Sequence, residues 1–183
     1  MSGHYTHLRW RRQQRFLTHS DAHIKSWLFD TGSLTARLIS HCNADFRVKV
    51  LSVKRATPTP DEVAALGLRP RNQALIRQVL LCCGDFPVVY ARTVIPLSSL
   101  RGALRGLVLL GNKPLGAVLF ADKSMRRKSL EVTSLTELHK CYRWTQHKGS
   151  ERIWGRRSLF SLKNKELLVS EFFLPTLFSP PCD

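Results

Sequence analysis

The sequence has no apolar run approaching the roughly 20 residues that a membrane-spanning helix requires. Acidic residues are also scarce, since 13 Asp and Glu stand against 29 Lys and Arg, and the formal net charge is +16. The first absence excludes a helical membrane protein, so no membrane insertion is expected. The charge suits three readings: nucleic-acid binding, attraction of a small anionic substrate, or a basic surface with no specific role.

Signatures of metal and cofactor binding are missing as well. The five cysteines contain no C-x-x-C pair, and the seven histidines lack the spacing of a zinc site. No glycine-rich phosphate loop or dinucleotide fingerprint occurs. We therefore predict no metal, no bound cofactor and five free thiols, at Cys42, Cys82, Cys83, Cys141 and Cys182.

Length and composition indicate one globular domain. The chain has 183 residues, 43% apolar and 23% charged, which suits a single core. The opening stretch, residues 1–15, is polar and basic, and the apolar segment of a secretory signal does not follow it. We predict a poorly ordered basic extension at 1–19, a single domain at 20–175 and a tail at 176–183. A cytoplasmic monomer is expected.

Helical patterns come first along the chain. Apolar residues recur at helical spacing from Ser20 to Asn43. The stretch Asp30–Ser33 interrupts this pattern, and Ser33 is a suitable N-cap for a second helix. Further short helices are predicted between the turn at 57–62 and Gly67, within 97–110, and after Pro114.

Strand patterns dominate the rest of the chain. They lie at 46–54, 74–83, 86–95, 152–162 and 166–174. Short turns at Gly84 and Asn164 join two pairs of these strands as hairpins, whereas the polar segment 122–150 gives no clear pattern. Helices followed by hairpin-linked strands predict an α+β domain built on an antiparallel sheet.

Two charged residues fall on apolar strand faces. Because side chains alternate along a strand, Arg77 shares its face with three apolar residues, and so does Glu171. An unpaired buried charge is costly, so each needs a partner or a ligand. Three alternatives remain open: a buried Arg77–Glu171 salt bridge, an edge strand with one solvent-exposed face, or a pocket that binds a carboxylate and a hydroxyl. Of the further strand arginines Arg92, Arg156 and Arg157, at least one is expected at the surface.

Five short motifs occur along the chain. They are Arg77 ahead of Leu80-Leu81-Cys82, Arg92-Thr93-Val94-Ile95-Pro96, Lys113-Pro114-Leu115-Gly116 with Leu119-Phe120, Trp154-Gly155-Arg156-Arg157-Ser158, and Glu171-Phe172-Phe173-Leu174-Pro175. One such motif is weak evidence, but the chorismate pyruvate-lyase family carries all five in this order. The chain resembles that family from about Trp27 to Pro175.

The resemblance implies a fold and an activity. The fold is a six-stranded antiparallel sheet with helices packed on it and a ligand site buried under helical flaps. The activity is a cofactor-independent lyase reaction that removes pyruvate from chorismate and yields 4-hydroxybenzoate, the aromatic precursor for ubiquinone biosynthesis. A site sealed from water also implies slow product escape and therefore product inhibition.

The resemblance also implies site residues. Arg77 pairs with the carboxylate of the aromatic product, Leu115 contributes a contact near it, and Glu171 meets the hydroxyl at the far end. Leu34 matches a further binding position, where a known member has Met, and a contact through the backbone would tolerate this change. The segment 137–151 is longer than the family usually carries.

Two mechanisms remain open for the elimination. Glu171, if it is protonated, could act as a general acid toward the ether oxygen. Alternatively, the ring hydrogen passes directly to the enolpyruvyl methylene in a cyclic step, and Glu171 only orients the substrate. Arg156 or Arg157 is a candidate contact for the second carboxylate of chorismate.

Two rival functions deserve comparison with the lyase. A non-catalytic module that binds small aromatic acids, similar to the effector domains of transcription regulators, would suit the stretch 92–96. Residues 1–19 are too few for the DNA-binding domain that such regulators carry ahead of their sensor. RNA binding would suit the charge, but no recognition-module signature occurs, so no nucleic-acid partner is expected.

Overall fold

The computed structural model describes residues 8–12, 22–42, 45–100 and 102–178. The strands are β1 Phe46–Ala56, β2 Ala74–Cys83, β3 Phe86–Pro96, β4 Arg126–Leu135, β5 Ile153–Leu162 and β6 Lys165–Phe173. The α-helices are α1 Ala22–Leu28, α2 Leu34–His41, α3 Pro60–Ala65 and α4 Leu115–Ala121. Short 3₁₀ helices occupy Leu97–Ser99, Gly102–Leu109, Lys140–Thr145 and Pro175–Leu177.

The six strands form one sheet in the order β1-β2-β3-β6-β5-β4. Every neighbouring pair is antiparallel. The predicted α+β class and the six-stranded antiparallel sheet are confirmed. Five strands lie close to their predicted positions, and the sixth, β4, lies in the polar segment that gave no pattern.

Local signals set the ends of several elements as predicted. Ser33 caps α2, and its hydroxyl accepts a hydrogen bond from the backbone N–H of Ala36 at 3.4 Å. The β5–β6 turn places Lys163 and Asn164 at φ of 48° and 62°, the left-handed region that a two-residue hairpin loop requires. Gly67 follows α3 with φ of 58°, which glycine adopts at low cost.

The sheet is covered on both faces. The first face, which we call the cavity face, carries Val79, Val89 and Phe173, and these residues pack against Trp27 and Leu38 of the first two helices. A second cluster on this face joins β5 and β6 to α4 and the 3₁₀ helix at 102–109. The opposite face packs against residues 8–12, the region around α3 and the 3₁₀ helix at 140–145. No helix in the described ranges is long and apolar enough to cross a membrane.

A bulge changes the facing of one end of β4. Ser129 pairs with Leu159 and Arg127 pairs with Phe160, so Lys128 is an extra residue in the ladder. Strict alternation would put Arg127 on the same face as Ser129. The bulge instead turns Arg127 toward the cavity face, which is a known use of β-bulges beside functional sites.

The prediction of five free thiols is wrong for two of them. Cys42, which follows α2, and Cys83, at the end of β2, form a disulfide with a Cα–Cα distance of 5.3 Å. The pairing of Phe46 with Cys83 at the start of β1 brings the two residues together, although 41 positions separate them in sequence. Cys82 and Cys141 are free, and Cys182 lies outside the described residues.

Parts of the predicted extension and tail contact the domain. In the extension, Arg11 forms a bridge with Val132 on β4, and the Trp10 ring lies 5.8 Å from that of Phe172. In the tail, Leu177 is buried in the core of the cavity face. The other residues of the predicted extension, 1–7 and 13–19, and of the predicted tail, 179–183, lie outside the described part of the chain.

Candidate active site

A narrow cavity of about 40 Å³ lies between the sheet and the helices α2 and α4. The lining comes from β2 (Arg77, Val79, Leu81), β3 (Ala91, Thr93), β4 (Arg127), β5 (Arg156, Phe160), β6 (Val169, Glu171), α2 (Leu34, Thr35) and α4 (Leu115, Leu119). The cavity therefore brings together Arg77, Glu171, Leu34, Leu115 and Arg156 of the predicted site.

Arg77 is 4% exposed and lies at one end of the cavity. Its Nη2 donates to the backbone carbonyls of Gly111 at 3.0 Å and Lys113 at 3.2 Å, just ahead of α4. Its Nε is buried and has no hydrogen-bond partner. Burial lowers the pKa of this guanidinium, because no carboxylate offsets the desolvation. Arg77 is thus held in place while one N–H remains available to a ligand.

Glu171 forms an ion pair with Arg156, so the predicted alternative of an Arg77–Glu171 salt bridge is wrong. The Oε2 atom of Glu171 accepts from the Nε of Arg156 at 2.6 Å. Arg156 is 1% exposed, and its Nη1 also donates to the backbone carbonyls of Trp27 at 2.9 Å and Asp30 at 2.7 Å. Arg156 therefore fixes both Glu171 and the connection between α1 and α2.

Leu34 and Leu115 are the first residues of the two helices that cover the cavity. The two helix starts approach closely, since a Cβ added to Gly116 would lie 3.1 Å from Thr35 Oγ1 and 3.3 Å from Ser33 Oγ. Glycine at this position permits the approach. The first turn of each helix leaves backbone N–H groups without an intrahelical carbonyl.

Arg127 is a cavity residue that the sequence analysis missed. Its Nη1 donates to the backbone carbonyl of Asp30 at 3.1 Å, and its guanidinium lies 5.1 Å from the centre of the Phe160 ring. Its Nε is buried without a partner. Burial is the main cause that lowers its pKa, and the nearby Arg156 adds to the effect. No pattern in the sequence marks it, because the bulge that turns it toward the cavity is defined by the pairing of β4 with β5.

Arg92 and Arg157 lie on the opposite face of the sheet. Arg92 binds Glu62 through two contacts, of 2.6 Å and 3.0 Å, and Arg157 binds Glu131 at 2.8 Å and Asp61 at 3.0 Å. Arg157 is therefore directed away from the cavity in which its substrate contact was predicted. The expectation that Arg92, Arg156 or Arg157 is exposed is also wrong, because all three are buried.

The charge inside the cavity is unbalanced. Three arginines and one glutamate line it, and the remaining side chains are apolar or neutral. Cations with free N–H groups suit carboxylates, and an apolar middle suits a ring. In the described part of the chain, no group of three or more His, Cys, Asp and Glu residues is placed to hold a metal ion. Fold and site together define a small α+β domain with a pocket whose lining combines an excess of cations with apolar side chains.

Comparison with solved structures finds the same fold in transcriptional regulators. The effector domain of PhnF from Mycobacterium smegmatis matches 80% of this chain and 91% of its own length, with a TM-score of 0.59 and 10% identity. A GntR-family transcriptional regulator from Enterococcus faecalis matches 77% of this chain and 99% of its own length, with a TM-score of 0.53 and 15% identity. At these identities the likeness shows the fold alone.

Sequence comparison identifies the family. The profile of the family described as chorismate lyase matches residues 6–181. A probable chorismate pyruvate-lyase of Methylococcus capsulatus is 44% identical over 86% of this chain and 98% of its own length. A second, from Aromatoleum aromaticum, is 44% identical over 87% of this chain and 89% of its own length. The chain belongs to the chorismate lyase family, which confirms the resemblance found in the motifs.

Proposed function

We propose that this protein converts chorismate into 4-hydroxybenzoate and pyruvate. One observation carries the proposal: a single cavity has Arg77 with a free N–H at one end, Glu171 at the other and apolar side chains between them. Family membership supports the reaction class. The proposal includes 4-hydroxybenzoate as a precursor for ubiquinone biosynthesis and a cytoplasmic location.

Substrate binding follows from the two ends of the cavity. The guanidinium of Arg77 binds the ring carboxylate of chorismate, and the starts of α2 and α4, at Leu34 and Leu115, border this group. The carboxylate of Glu171 accepts a hydrogen bond from the C4 hydroxyl, which lies para to the ring carboxylate. Apolar residues such as Val79, Leu119 and Val169 surround the ring.

The chemistry requires little from the protein beyond orientation. In the cyclic step, the C3–O ether bond breaks and the C4 hydrogen moves to the enolpyruvyl methylene, which becomes the methyl group of pyruvate. The ring gains its third double bond and becomes aromatic, and this supplies the driving force. The cavity holds the side chain over the C4 hydrogen and thereby selects the reactive conformer.

The ion pair between Glu171 and Arg156 favours the orienting role of Glu171. A carboxylate that accepts a 2.6 Å hydrogen bond from a guanidinium is an acceptor, whereas a general acid must carry a proton. Glu171 therefore positions the C4 hydroxyl while the hydrogen transfers within the substrate. Arg156 in turn positions Glu171.

Incubation of purified protein with chorismate in the presence of EDTA tests the proposal. We expect 4-hydroxybenzoate and pyruvate in equal amounts. Appearance of anthranilate, prephenate or salicylate would instead assign a different reaction. Binding of 4-hydroxybenzoate without any turnover of chorismate would favour the alternative function, a non-catalytic binding module. The effector domains of transcriptional regulators share this fold, which is why the alternative is tested. Light scattering of the purified protein tests the expected monomer.

A further inference from the structure

Arg127 is a cation in the cavity without an anion of its own. Three other arginines on the sheet each bind a carboxylate: Arg92 binds Glu62, Arg156 binds Glu171, and Arg157 binds Glu131 and Asp61. Among the described residues, no carboxylate forms an ion pair with Arg127. Arg127 is a half-buried cation whose buried Nε has no partner, which is costly, and a ligand anion would offset the cost.

The position of Arg127 places this cation at the Glu171 end of the cavity. Arg127 and Arg156 both donate to the backbone carbonyl of Asp30, and Arg156 binds Glu171. Arg77 lies at the other end, beside Gly111 and Lys113. The cavity thus has one uncompensated cation at each end.

Chorismate carries two carboxylates, one on the ring and one on the enolpyruvyl group. With the ring carboxylate on Arg77 and the C4 hydroxyl on Glu171, the C3 ether lies at the Glu171 end. The enolpyruvyl carboxylate is attached two bonds from the ether oxygen, on the side of the ring that carries C3 and C4. An uncompensated guanidinium at that end is the group that this carboxylate requires.

We propose that Arg127 binds the enolpyruvyl carboxylate of chorismate and so distinguishes the dicarboxylate substrate from the monocarboxylate product. This inference rests on the proposed function and replaces the roles suggested for Arg156 and Arg157. Arg156 already binds Glu171 and two carbonyls, and Arg157 is on the other face. After cleavage the second carboxylate leaves with pyruvate, and 4-hydroxybenzoate keeps no contact with Arg127.

If Arg127 has only a structural role, a different result is expected. The hydrogen bond from Arg127 to Asp30 could serve only to hold the α1–α2 connection over the cavity. Loss of such an anchor would weaken every ligand of the cavity to a similar extent. A substrate contact instead lowers the affinity for chorismate alone.

The test compares Arg127→Gln and Arg127→Lys with Arg126→Gln. Arg126 is the exposed neighbour on β4, and its side chain contacts only the carbonyls of Lys123 and Met125 in the described structure. We expect Arg127→Gln to lower kcat/KM for chorismate on the order of 10- to 100-fold, the effect of one charge-assisted contact. The Kd for 4-hydroxybenzoate should stay within about twofold, while Arg127→Lys keeps part of the rate and Arg126→Gln keeps all of it.

Two results would overturn the inference. The first is a kcat/KM of Arg127→Gln close to that of the wild type. The second is an equal loss of chorismate and 4-hydroxybenzoate affinity in both Arg127 variants, which identifies a loop anchor. If Arg127→Gln does not fold, kcat/KM for chorismate and the Kd for 4-hydroxybenzoate are compared between Arg127→Lys and the wild type instead. A wild-type protein that does not convert chorismate contradicts the proposed function itself, whereas normal turnover with an unaffected Arg127→Gln contradicts only this inference.

Discussion

Arg77 lines the cavity, where two backbone carbonyls hold its guanidinium and its buried Nε has no hydrogen-bond partner. Replacement by Lys keeps the charge but loses the planar fork, so 4-hydroxybenzoate should bind measurably more weakly. Arg77→Ala should lose more affinity, by about 1.5–3 kcal/mol or roughly 10- to 150-fold. Calorimetric titration with 4-hydroxybenzoate measures both.

The matched control for this prediction is Arg47→Lys. Arg47 lies on β1 and forms an exposed ion pair with Asp85. Its replacement should leave the affinity for 4-hydroxybenzoate unchanged. Wild-type affinity in both Arg77 variants would show that Arg77 does not bind the ligand.

Glu171→Gln separates the two mechanisms at the other end of the cavity. If Glu171 only orients the substrate, the amide keeps a substantial share of kcat. A general acid would instead lose about 10²- to 10⁴-fold. The unfolding temperature should fall in either case, because the substitution leaves the guanidinium of Arg156 buried without its counter-charge.

An isotope label decides the same question in the unaltered enzyme. With chorismate deuterated at C4, the cyclic step carries the deuterium into the methyl group of pyruvate. Acid–base elimination delivers it to solvent. Mass spectrometry of the pyruvate formed in a single turnover measures the deuterium in its methyl group. Pyruvate without deuterium would contradict the cyclic step.

Local alternation located two of the three unusual charges in the cavity. Arg77 and Glu171 lie on regular strands, so the two-residue period alone placed each on an apolar face. Arg127 lies beside a bulge, where one extra residue reverses the facing, and its surroundings of Arg126 and Lys128 are typical of a solvated strand. Residue patterns cannot reveal a bulge, because it is defined by pairing with β5.

At the scale of elements, the segment between α1 and α2 closes the cavity, and Asp30 fixes it. Burial opposes ionisation of Asp30, but hydrogen bonds from the N–H of Gly32 and from Arg37 outweigh it and hold the pKa below its ordinary value of 3.8. A depressed pKa in the folded state contributes stability above the pKa of the unfolded chain. That contribution is lost as the pH falls through the folded pKa.

Asp30→Asn should therefore lower the free energy of unfolding at neutral pH. The difference from the wild type should shrink as the pH falls below the pKa of an Asp in the unfolded chain, about 3.9, and on through the lower pKa of folded Asp30. Urea denaturation of both proteins between neutral pH and about pH 3 measures it. Asp85→Asn is the control, since that carboxylate is 89% exposed. A difference that stays constant across this range would show that Asp30 acts through its shape and not through its charge.

The element that sequence patterns did not locate is β4. Its residues Arg126–Leu135 alternate poorly, because the bulge at Lys128 breaks the period and its first half is basic. β4 is also an edge strand, which pairs with β5 along one side and carries the Arg11–Val132 bridge on the other, so polar side chains cost little along most of it. The predicted strands β2, β3, β5 and β6 are more buried and are joined in pairs by short hairpin turns, and β1, the other edge strand, alternates regularly between half-buried and exposed residues over its first five positions.

At the scale of the molecule, the sheet order assembles the site. β2, β6 and β4 supply Arg77, Glu171 and Arg127, and they meet because β6 and β5 insert between β3 and β4. Local patterns predicted hairpins, and the family resemblance implied six antiparallel strands, but neither predicted this order. The disulfide is likewise a long-range feature, because it requires the ends of α2 and β2 to lie close together in the fold.

The disulfide between Cys42 and Cys83 ties the end of α2, which covers the cavity, to the β2–β3 hairpin. A cross-link over 41 residues restricts the unfolded chain, so Cys42→Ser with Cys83→Ser should lower the free energy of unfolding by about 2–4 kcal/mol under oxidising conditions. Reductant should lower the stability of the wild type by a similar amount and leave the double variant unchanged. Cys141→Ser, at a free thiol, is the control and should respond to reductant like the wild type.

Disulfides are rare in reducing compartments, so in the proposed cytoplasmic location this pair would be a dithiol. The reduced wild type and the double variant should then share one stability and one rate with chorismate. Urea unfolding of all three proteins, with and without dithiothreitol, measures the stability. An unfolding midpoint of the wild type that does not change with reductant would show that Cys42 and Cys83 are not cross-linked.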